Sequence, residues 1–479
     1  MLTRREIITL CLVFLITLPA VTSRLYASDE IEYFAWLRSA AFDHDVDFRN
    51  EYQHFYDAGV ARAEGFYETF LSAERANEIG RPVNYATPGP GMLWSPFYAV
   101  GHLAAIVSGA PRDGFSHPYI AAIAYGSACY GFLATVISAV IARRVFGRGL
   151  AVSLAIACGT PLLFYAYVAP GFGHAASAFA VSLLVWVWLR VRARWTIGGA
   201  IALGLCAGLV GVVREQDVFL SLGPALDFLI YWFRSIRNGR VAASGARPSP
   251  AAVAVAGTLA FLAGLAPLLL AYKALNGHFF PTETAARKMT WTAPHAWGVL
   301  FSPYHGLFAW TPLAIVAIAG LAAVALAART TAVGHHTADG DARRIAIIAL
   351  IMIAAQAYSS GSVESWTVAG SFGQRRFVAI TPLLVLGLAG LFALVQATWP
   401  RRALAAVIAL CIWWNLGLMA QFGLHRMDRQ QLTLMDNARA TFVDLPLEAP
   451  QLVWRYLFDR QSLYKLPRAS QKSEVQSPK

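Results

Sequence analysis

Residues 23–56, SRLYASDEIEYFAWLRSAAFDHDVDFRNEYQHFY, hold the densest run of carboxylates in the chain. Asp29, Glu30 and Glu32 follow the first hydrophobic segment, residues 7–21, and Asp43, Asp45 and Asp47 alternate a short way on. A carboxylate cluster at a membrane surface suits two tasks, accepting a proton or holding a metal ion. Helical spacing puts Asp29, Glu32, Tyr33 and Trp36 on one face, because positions i, i+3, i+4 and i+7 align. Capping explains the same residues in plainer terms: Ser28 or Asp29 closes a helix start, and Glu30 and Glu32 favour its dipole. Three carboxylates beside a membrane make Asp29 the first candidate for function, ahead of Glu30.

The 43–47 stretch begins like a calcium loop, but Phe48 stands where that loop needs glycine and His54 where it needs glutamate. It is therefore either a solvated turn or a support for the first carboxylates. Gly171-Phe172-Gly173-His174-Ala175-Ala176 matches a dinucleotide fingerprint only in letters, since it joins two apolar segments with no strand before it. What remains there is His174 at a helix start, a cap before it is a site residue. Walker A, H-E-x-x-H and G-x-S-x-G sequences are absent, which removes support for nucleotide-driven transport and for serine or zinc hydrolysis in their usual forms. The five cysteines lie in apolar segments without C-x-x-C spacing, so neither a disulfide framework nor a zinc site is expected.

These groups need a scaffold, and composition indicates which kind. The 479 residues are 57% hydrophobic and 14% charged, against about a quarter charged in a soluble domain. With repeated apolar runs this predicts an all-α polytopic membrane protein. Net charge is +12, but the arginines punctuate apolar segments instead of forming one patch, which argues against nucleic acid. About eleven spans are expected, near 7–22, 119–142, 150–169, 175–190, 197–213, 218–233, 251–272, 309–328, 345–359, 377–397 and 403–421. Basic clusters at Arg4/Arg5, Arg143/Arg144/Arg148, Arg190/Arg192/Arg194, Arg234/Arg237/Arg240, Arg329/Arg343/Arg344 and Arg401/Arg402 then fall on the cytoplasmic side. The N-terminus is inside and the C-terminus outside. The first segment reads as an uncleaved span, although a cleavable signal peptide fits its flanks. Counting 91–110 as a span would reverse every later loop, so it is expected to lie on the outer surface or to re-enter it.

The outer side thus gathers 23–118, 170–174, 214–217, 273–308, 360–376 and the tail from 422, while two polar linkers, 234–250 and 334–341, fall inside. Arg214, Arg375 and Arg376 are arginines on the wrong side for the insertion bias, which suggests an anionic partner, phosphate ahead of a salt bridge to Glu215, Asp217 or Glu364. His305, in Ser302-Pro303-Tyr304-His305-Gly306, shares that side.

Taken in order, several segments resemble the GT-C superfamily of polyprenyl-phosphate-sugar glycosyltransferases, nearest to bacterial relatives of protein O-mannosyltransferases and of the lipid A aminoarabinose transferase. The pieces are Asp29-Glu30-x-x-Tyr33, Asp43-x-Asp45-x-Asp47-Phe48, the 84–91 stretch NYATPGPG, Arg143-Arg144-Val145-Phe146-Gly147, Val213-Arg214-x-Gln216-Asp217, Ser302-Pro303-x-His305-Gly306-Leu307-Phe308, and Trp366 through Gly373-Gln374-Arg375-Arg376. The resemblance implies a catalytic module over 1–272 whose large periplasmic loop, 23–118, contains surface helices. Variable helices over 273–421 and a short periplasmic tail, 422–479, would follow. Asp29 would be the general base with Glu30 beside it, and Glu32, Tyr33, Asp45, Tyr85, His174, Arg214, His305, Arg375 and Arg376 would bind substrate. No cofactor is required, though a divalent cation at Asp29/Glu30 is compatible. The implied partners are a polyprenyl-phosphate-sugar donor, a glycan, lipid or protein acceptor, and the bilayer, in a multi-pass protein of a bacterial inner membrane. A lipid-linked polymerase or ligase, or a transporter or flippase, are the alternatives. One departure matters: Thr87 stands before Pro88 where the aminoarabinose transferases carry a phosphate-binding lysine, so phosphate contacts must come from Arg214 or Arg375/Arg376.

Overall fold

An apolar run with no water to meet its backbone must bond within itself, and this chain does so by forming helices. The computed structural model describes residues 3–61, 65–237, 248–327 and 339–464. Most of the linkers at 234–250 and 334–341, and the end of the tail, lie outside the described residues. Apart from one isolated bridge between Met289 and Val363, the described residues contain no strand pairing.

Helix α1 (Arg4–Thr17) leads into the first-loop helices α2 (Ser28–Arg38), α3 (Arg49–Asp57), α4 (Phe66–Phe70) and α5 (Gly89–Ser108). The bundle continues with α6 (His117–Phe146), α7 (Leu150–Gly159), α8 (Leu162–Tyr167), α9 (His174–Val191), α10 (Ile197–Val213), α11 (Leu222–Arg237) and α12 (Pro250–Asn276). Short helices α13 (Glu283–Arg287), α14 (Ala296–Phe301) and α15 (Leu307–Trp310) precede α16 (Pro312–Leu326), α17 (Asp339–Gly361), α18 (Thr381–Leu394) and α19 (Thr398–Gly423). The described residues end with α20 (Leu434–Arg439), α21 (Leu445–Phe458) and α22 (Gln461–Tyr464).

Among the described residues six helices are long and apolar enough to cross a membrane: α6, α9, α12, α17, α18 with its preceding turn, and α19. Helices α7, α10 and α16 are apolar but shorter. This is the architecture of a multi-pass membrane protein. Two expected spans are interrupted for one reason: the residue before a proline disfavours helical geometry. Thr160 before Pro161 is extended (φ −134°, ψ 166°) and splits 150–169 into α7 and α8. Thr311 before Pro312 (φ −132°, ψ 71°) delays the start of α16. Residues 91–110 form α5, which is not among the six. It runs antiparallel to the first half of α6, with Gly101 against Pro118 and Tyr119, Phe97 on Gly126, and the Tyr130 hydroxyl donating to the Leu93 carbonyl at 2.7 Å.

Two devices set where the site falls. The first-loop helices enclose an aromatic core of Phe34, Phe48, Tyr52, Phe55, Trp94 and Tyr98, which fixes α2 against α5. Helices α10 and α12 run parallel in close contact because glycines face each other: a methyl group at Gly204 would lie 2.3 Å from the Gly257 carbonyl oxygen, and one at Gly208 2.6 Å from Gly264. Small-xxx-small spacing is how helices approach in lipid, where packing replaces the hydrophobic effect. Gly208→Val should therefore force the pair apart, costing about 1–3 kcal/mol, read as a lower melting temperature of the detergent-solubilised protein. An unchanged melt would show that the contact contributes nothing.

Candidate functional site

Helix α2 begins at Ser28, and the backbone N–H groups just before it need acceptors. Glu30 supplies them by turning back: its Oε2 accepts the N–H groups of Tyr26 (2.9 Å) and Ala27 (3.2 Å). Its Oε1 accepts the N–H of Gly171 (3.2 Å), in the turn between α8 and α9. Gly171 is required there, since a methyl group would sit 2.8 Å from that same oxygen. Glu30 is fully buried, and burial pushes its carboxyl up from 4.5 to about 7 despite the three N–H donors.

Asp29, one residue earlier, faces the other way and is 38% exposed. Its Oδ2 lies 2.6 Å from Nη1 of Arg375, whose guanidinium also covers the Phe172 ring at 5.4 Å. Arg375 opens a 3₁₀ turn (Arg375–Ile380) packed against α9. Arg376, next in that turn, points elsewhere: it donates to the carbonyls of Ser360 (3.3 Å) and Ser365 (3.2 Å) and to the Ser365 hydroxyl.

A second polar line runs from His174 to Arg376. Arg214 Nη1 donates to His174 Nδ1 at 2.5 Å; because arginine only donates, that nitrogen carries no proton. Arg214 Nε is 3.9 Å from the buried carboxylate of Asp217, which accepts from Ser177 and, at 2.9 Å, from Gln356. Gln356 also donates to the Arg376 carbonyl at 2.8 Å. The third edge is the 84–87 stretch. Glu32 Oε1 accepts the N–H of Tyr85 (2.6 Å), Asn84 donates to the Glu32 carbonyl (3.0 Å), and Trp36 donates to the Ala86 carbonyl (2.8 Å). Lys288 brings its ammonium to 4.5 Å from the Tyr85 ring. Burial first, then the Asp29 charge, raises the Glu32 carboxyl well above its ordinary range. Burial raises Tyr33 to about 12, against the opposing charges of Arg214 and Arg375.

The structure thus brings Asp29, Glu32, Tyr33, Tyr85, His174, Arg214 and Arg375 to one end of the bundle. It places the other expected residues elsewhere. Glu30 is an internal brace, and a cation bridging it to Asp29 would have to displace three backbone N–H groups. Asp45 accepts from the Ser39 hydroxyl (2.8 Å) and the Asp47 N–H (3.1 Å), at the far end of α2, roughly 15 Å from Asp29 by helical rise. His305 is buried with Nε2 donating to the Ser371 carbonyl (2.9 Å) and its ring stacked on Trp310; burial lowers it to about 4, so it is a neutral support for the 371–376 segment. Among the described residues no three His, Cys, Asp or Glu side chains gather to hold a metal. Sequence reading missed Lys288, although it lies in the 273–308 loop and breaks the same charge bias that singled out Arg214. It also missed Gln356, a lone amide in an otherwise apolar span. Scanned against models of known protein families the sequence matches none, and it matches no curated protein.

Glu30 yields a pH prediction. Its folded value lies above the ordinary 4.5, so the folded state holds that proton more tightly. Stability then falls as pH rises from about 4.5 through about 7. Glu30→Gln removes this proton and should flatten the decline in melting temperature over that window. A slope identical to the parent's would show that Glu30 does not titrate there.

Proposed function

We propose that the chain is an integral membrane glycosyltransferase that moves a sugar from a polyprenyl-phosphate donor to an acceptor hydroxyl, with inversion at the anomeric carbon. The observation that supports this most is the half-exposed Asp29 carboxylate, 2.6 Å from Arg375, with Arg214 and Lys288 in the same cluster. A base with several cations beside it matches a reaction that removes a proton and releases a phosphate. In that reaction the acceptor oxygen forms a bond to the anomeric carbon while its proton passes to Asp29. The bond from that carbon to the lipid phosphate oxygen breaks with its electron pair. Arg375, with Arg214 and Lys288, stabilises the charge arriving on the phosphate. Burial and the neighbouring Asp29 charge both disfavour a charged Glu32 carboxyl, which limits a second negative charge beside the same cations.

The reading carries a layout: eleven crossings in a bacterial inner membrane, with 23–118 and the C-terminus outside and the Arg143–Arg148 turn inside. In a background without native cysteines, periplasmic labelling should modify Asp57→Cys and leave Arg148→Cys untouched; the reverse pattern overturns the layout.

The activity itself is tested with purified protein and a panel of polyprenyl-phosphate sugars. Asp29→Asn keeps size and capping ability, so it separates the base from the cap. Transfer should fall by about two orders of magnitude or more with membrane insertion unchanged, and Glu32→Gln should be milder. Arg375→Ala should weaken donor use by about 1.5–3 kcal/mol, whereas Arg376→Ala should act mainly by destabilising the 360–376 region. Near-normal transfer by Asp29→Asn would leave Asp29 a helix cap.

A further inference from the structure

After α19 the chain folds back along it. The Gln421 amide accepts from the Asn437 amide (2.9 Å) and donates to the Thr441 hydroxyl (2.8 Å), Thr441 packs on Gly417, and the Trp413 indole donates to the Thr441 carbonyl (3.0 Å). Trp413 lies ten residues before Gly423, the last of α19, roughly 15 Å by helical rise. The returning segment therefore reaches the level of the last turns of a helix long and apolar enough to cross a membrane. Helix α21 then crosses from the end of α19 to the end of α1. Glu448 in its first half pairs with Arg426, just past α19, at 2.7 Å. At its other end the Tyr456 hydroxyl donates to the Ala20 carbonyl (2.7 Å), and Arg460 donates to those of Val21 (2.9 Å) and Pro19 (2.6 Å).

Held there, α21 turns the wrong side to water. Leu447, Trp454 and Phe458 recur at i, i+7 and i+11, so they share one stripe. They are 83, 63 and 68% exposed, whereas Leu445 and Tyr456 face the bundle. Val453 and Leu457, also exposed, widen the stripe. Glu448 and Arg455 sit roughly a quarter turn around the helix, and Asp444 and Asp459 fall at its two ends. A surface helix in water presents its polar side to solvent. This one presents leucine, tryptophan and phenylalanine. The exposed side of α19, with Leu410, Trp413 and Leu416, borders the turn that leads into α21.

We propose that α21 is a membrane-interface helix, its outward stripe sunk among the acyl chains of the leaflet at that end of the bundle, with Trp454 and Phe458 as its anchors. The occupant of the stripe is the bilayer itself, because the stripe continues the surface that α19 already presents to lipid and lies level with the ends of two apolar helices. Aromatic side chains on the buried side, with charges at the flanks and ends, suit the boundary between head groups and hydrocarbon. The tail from 422 is then a membrane-bound element and not an aqueous extension. The proposal rests on the multi-pass architecture and stands whatever Asp29 does.

Spin labels on single cysteines test it, in the full-length chain without its native cysteines, reconstituted in vesicles of phosphatidylethanolamine and phosphatidylglycerol. Labels at Trp454→Cys and Phe458→Cys should behave like one at Leu410→Cys on α19. Their ratio of collisions with oxygen to collisions with a water-soluble nickel chelate should exceed that at Asp57→Cys several-fold. A second measurement needs no substitution: a phospholipid carrying a diazirine on its acyl chain should photolabel the peptide holding Trp454 and Phe458 in the native chain. Nickel collisions at both positions as frequent as at Asp57→Cys would put the stripe in water and overturn the proposal. Protection from both reagents would mean that protein covers it, a second copy where the labels broaden each other's spectra, and this overturns it equally. So does photolabelling of α19 with none on α21.

Discussion

Three backbone N–H groups converging on one buried carboxylate hold the site end of this molecule together. Where α2 starts and where α8 gives way to α9, the chain leaves regular structure among apolar side chains. Backbone groups left unpaired there are costly. Glu30 answers both problems at once, accepting from Tyr26 and Ala27 beside it and from Gly171, 141 residues away in sequence. The first loop is thereby tied to the bundle by a side chain from its own first helical turn. The consequence for Asp29 is geometric. Adjacent helical residues point about 100° apart, so anchoring Glu30 inward swings Asp29 toward the cleft and Arg375.

The same logic separates the two neighbouring arginines. In a 3₁₀ turn successive side chains diverge by about 120°. Arg376 is directed into the protein, where three oxygens of Ser360 and Ser365 meet it, and Arg375 is directed at Asp29. Burying a charge is tolerable only when its partners are complete. The Asp217 carboxylate, with Ser177, Gln356 and Arg214 around it, meets that condition at the junction of α9, α10 and α17. What is left partly exposed is the Asp29–Arg375 pair and the edge formed by Tyr85 and Lys288. Completed partners make the braces, and the pairs at the open edge remain able to exchange.

Much of this was legible in the sequence, and the failures have identifiable causes. Apolar runs became helices at the expected places, and the helical period correctly set Asp29, Glu32, Tyr33 and Trp36 along one side of α2, where the last three meet Trp94 and the 85–86 backbone. Local rules missed what depends on distant backbone. Nothing within a few residues of Glu30 announces Gly171, so two adjacent acids read as a working pair when one is a brace. Of the two readings of the 43–47 stretch, a turn or a support for the first carboxylates, the structure fits the turn: Ser39 and Asp47 hold Asp45 at the other end of the helix. The tail from 422 read as a short extension because its apolar residues are spaced among prolines and arginines. In the structure they fold α20 and α21 back over α19 and the end of α1.

The threonine at position 87 shows how the site is assembled. Thr87 donates its hydroxyl to the Val213 carbonyl at 2.7 Å, the last of α10. Gly89 seals the same contact, since a methyl group would lie 2.4 Å from the Val212 oxygen. The residue that follows Val213 is Arg214, so the 84–91 stretch fixes the point from which that guanidinium reaches His174. Its other end presents Tyr85, over which Lys288 arrives from a loop two hundred residues later. The first loop also brings Arg75 within electrostatic reach of Tyr85. It holds in register the backbone from which Arg214 projects and the ring on which Lys288 rests, while Glu30 aims Asp29 at Arg375 from the opposite side.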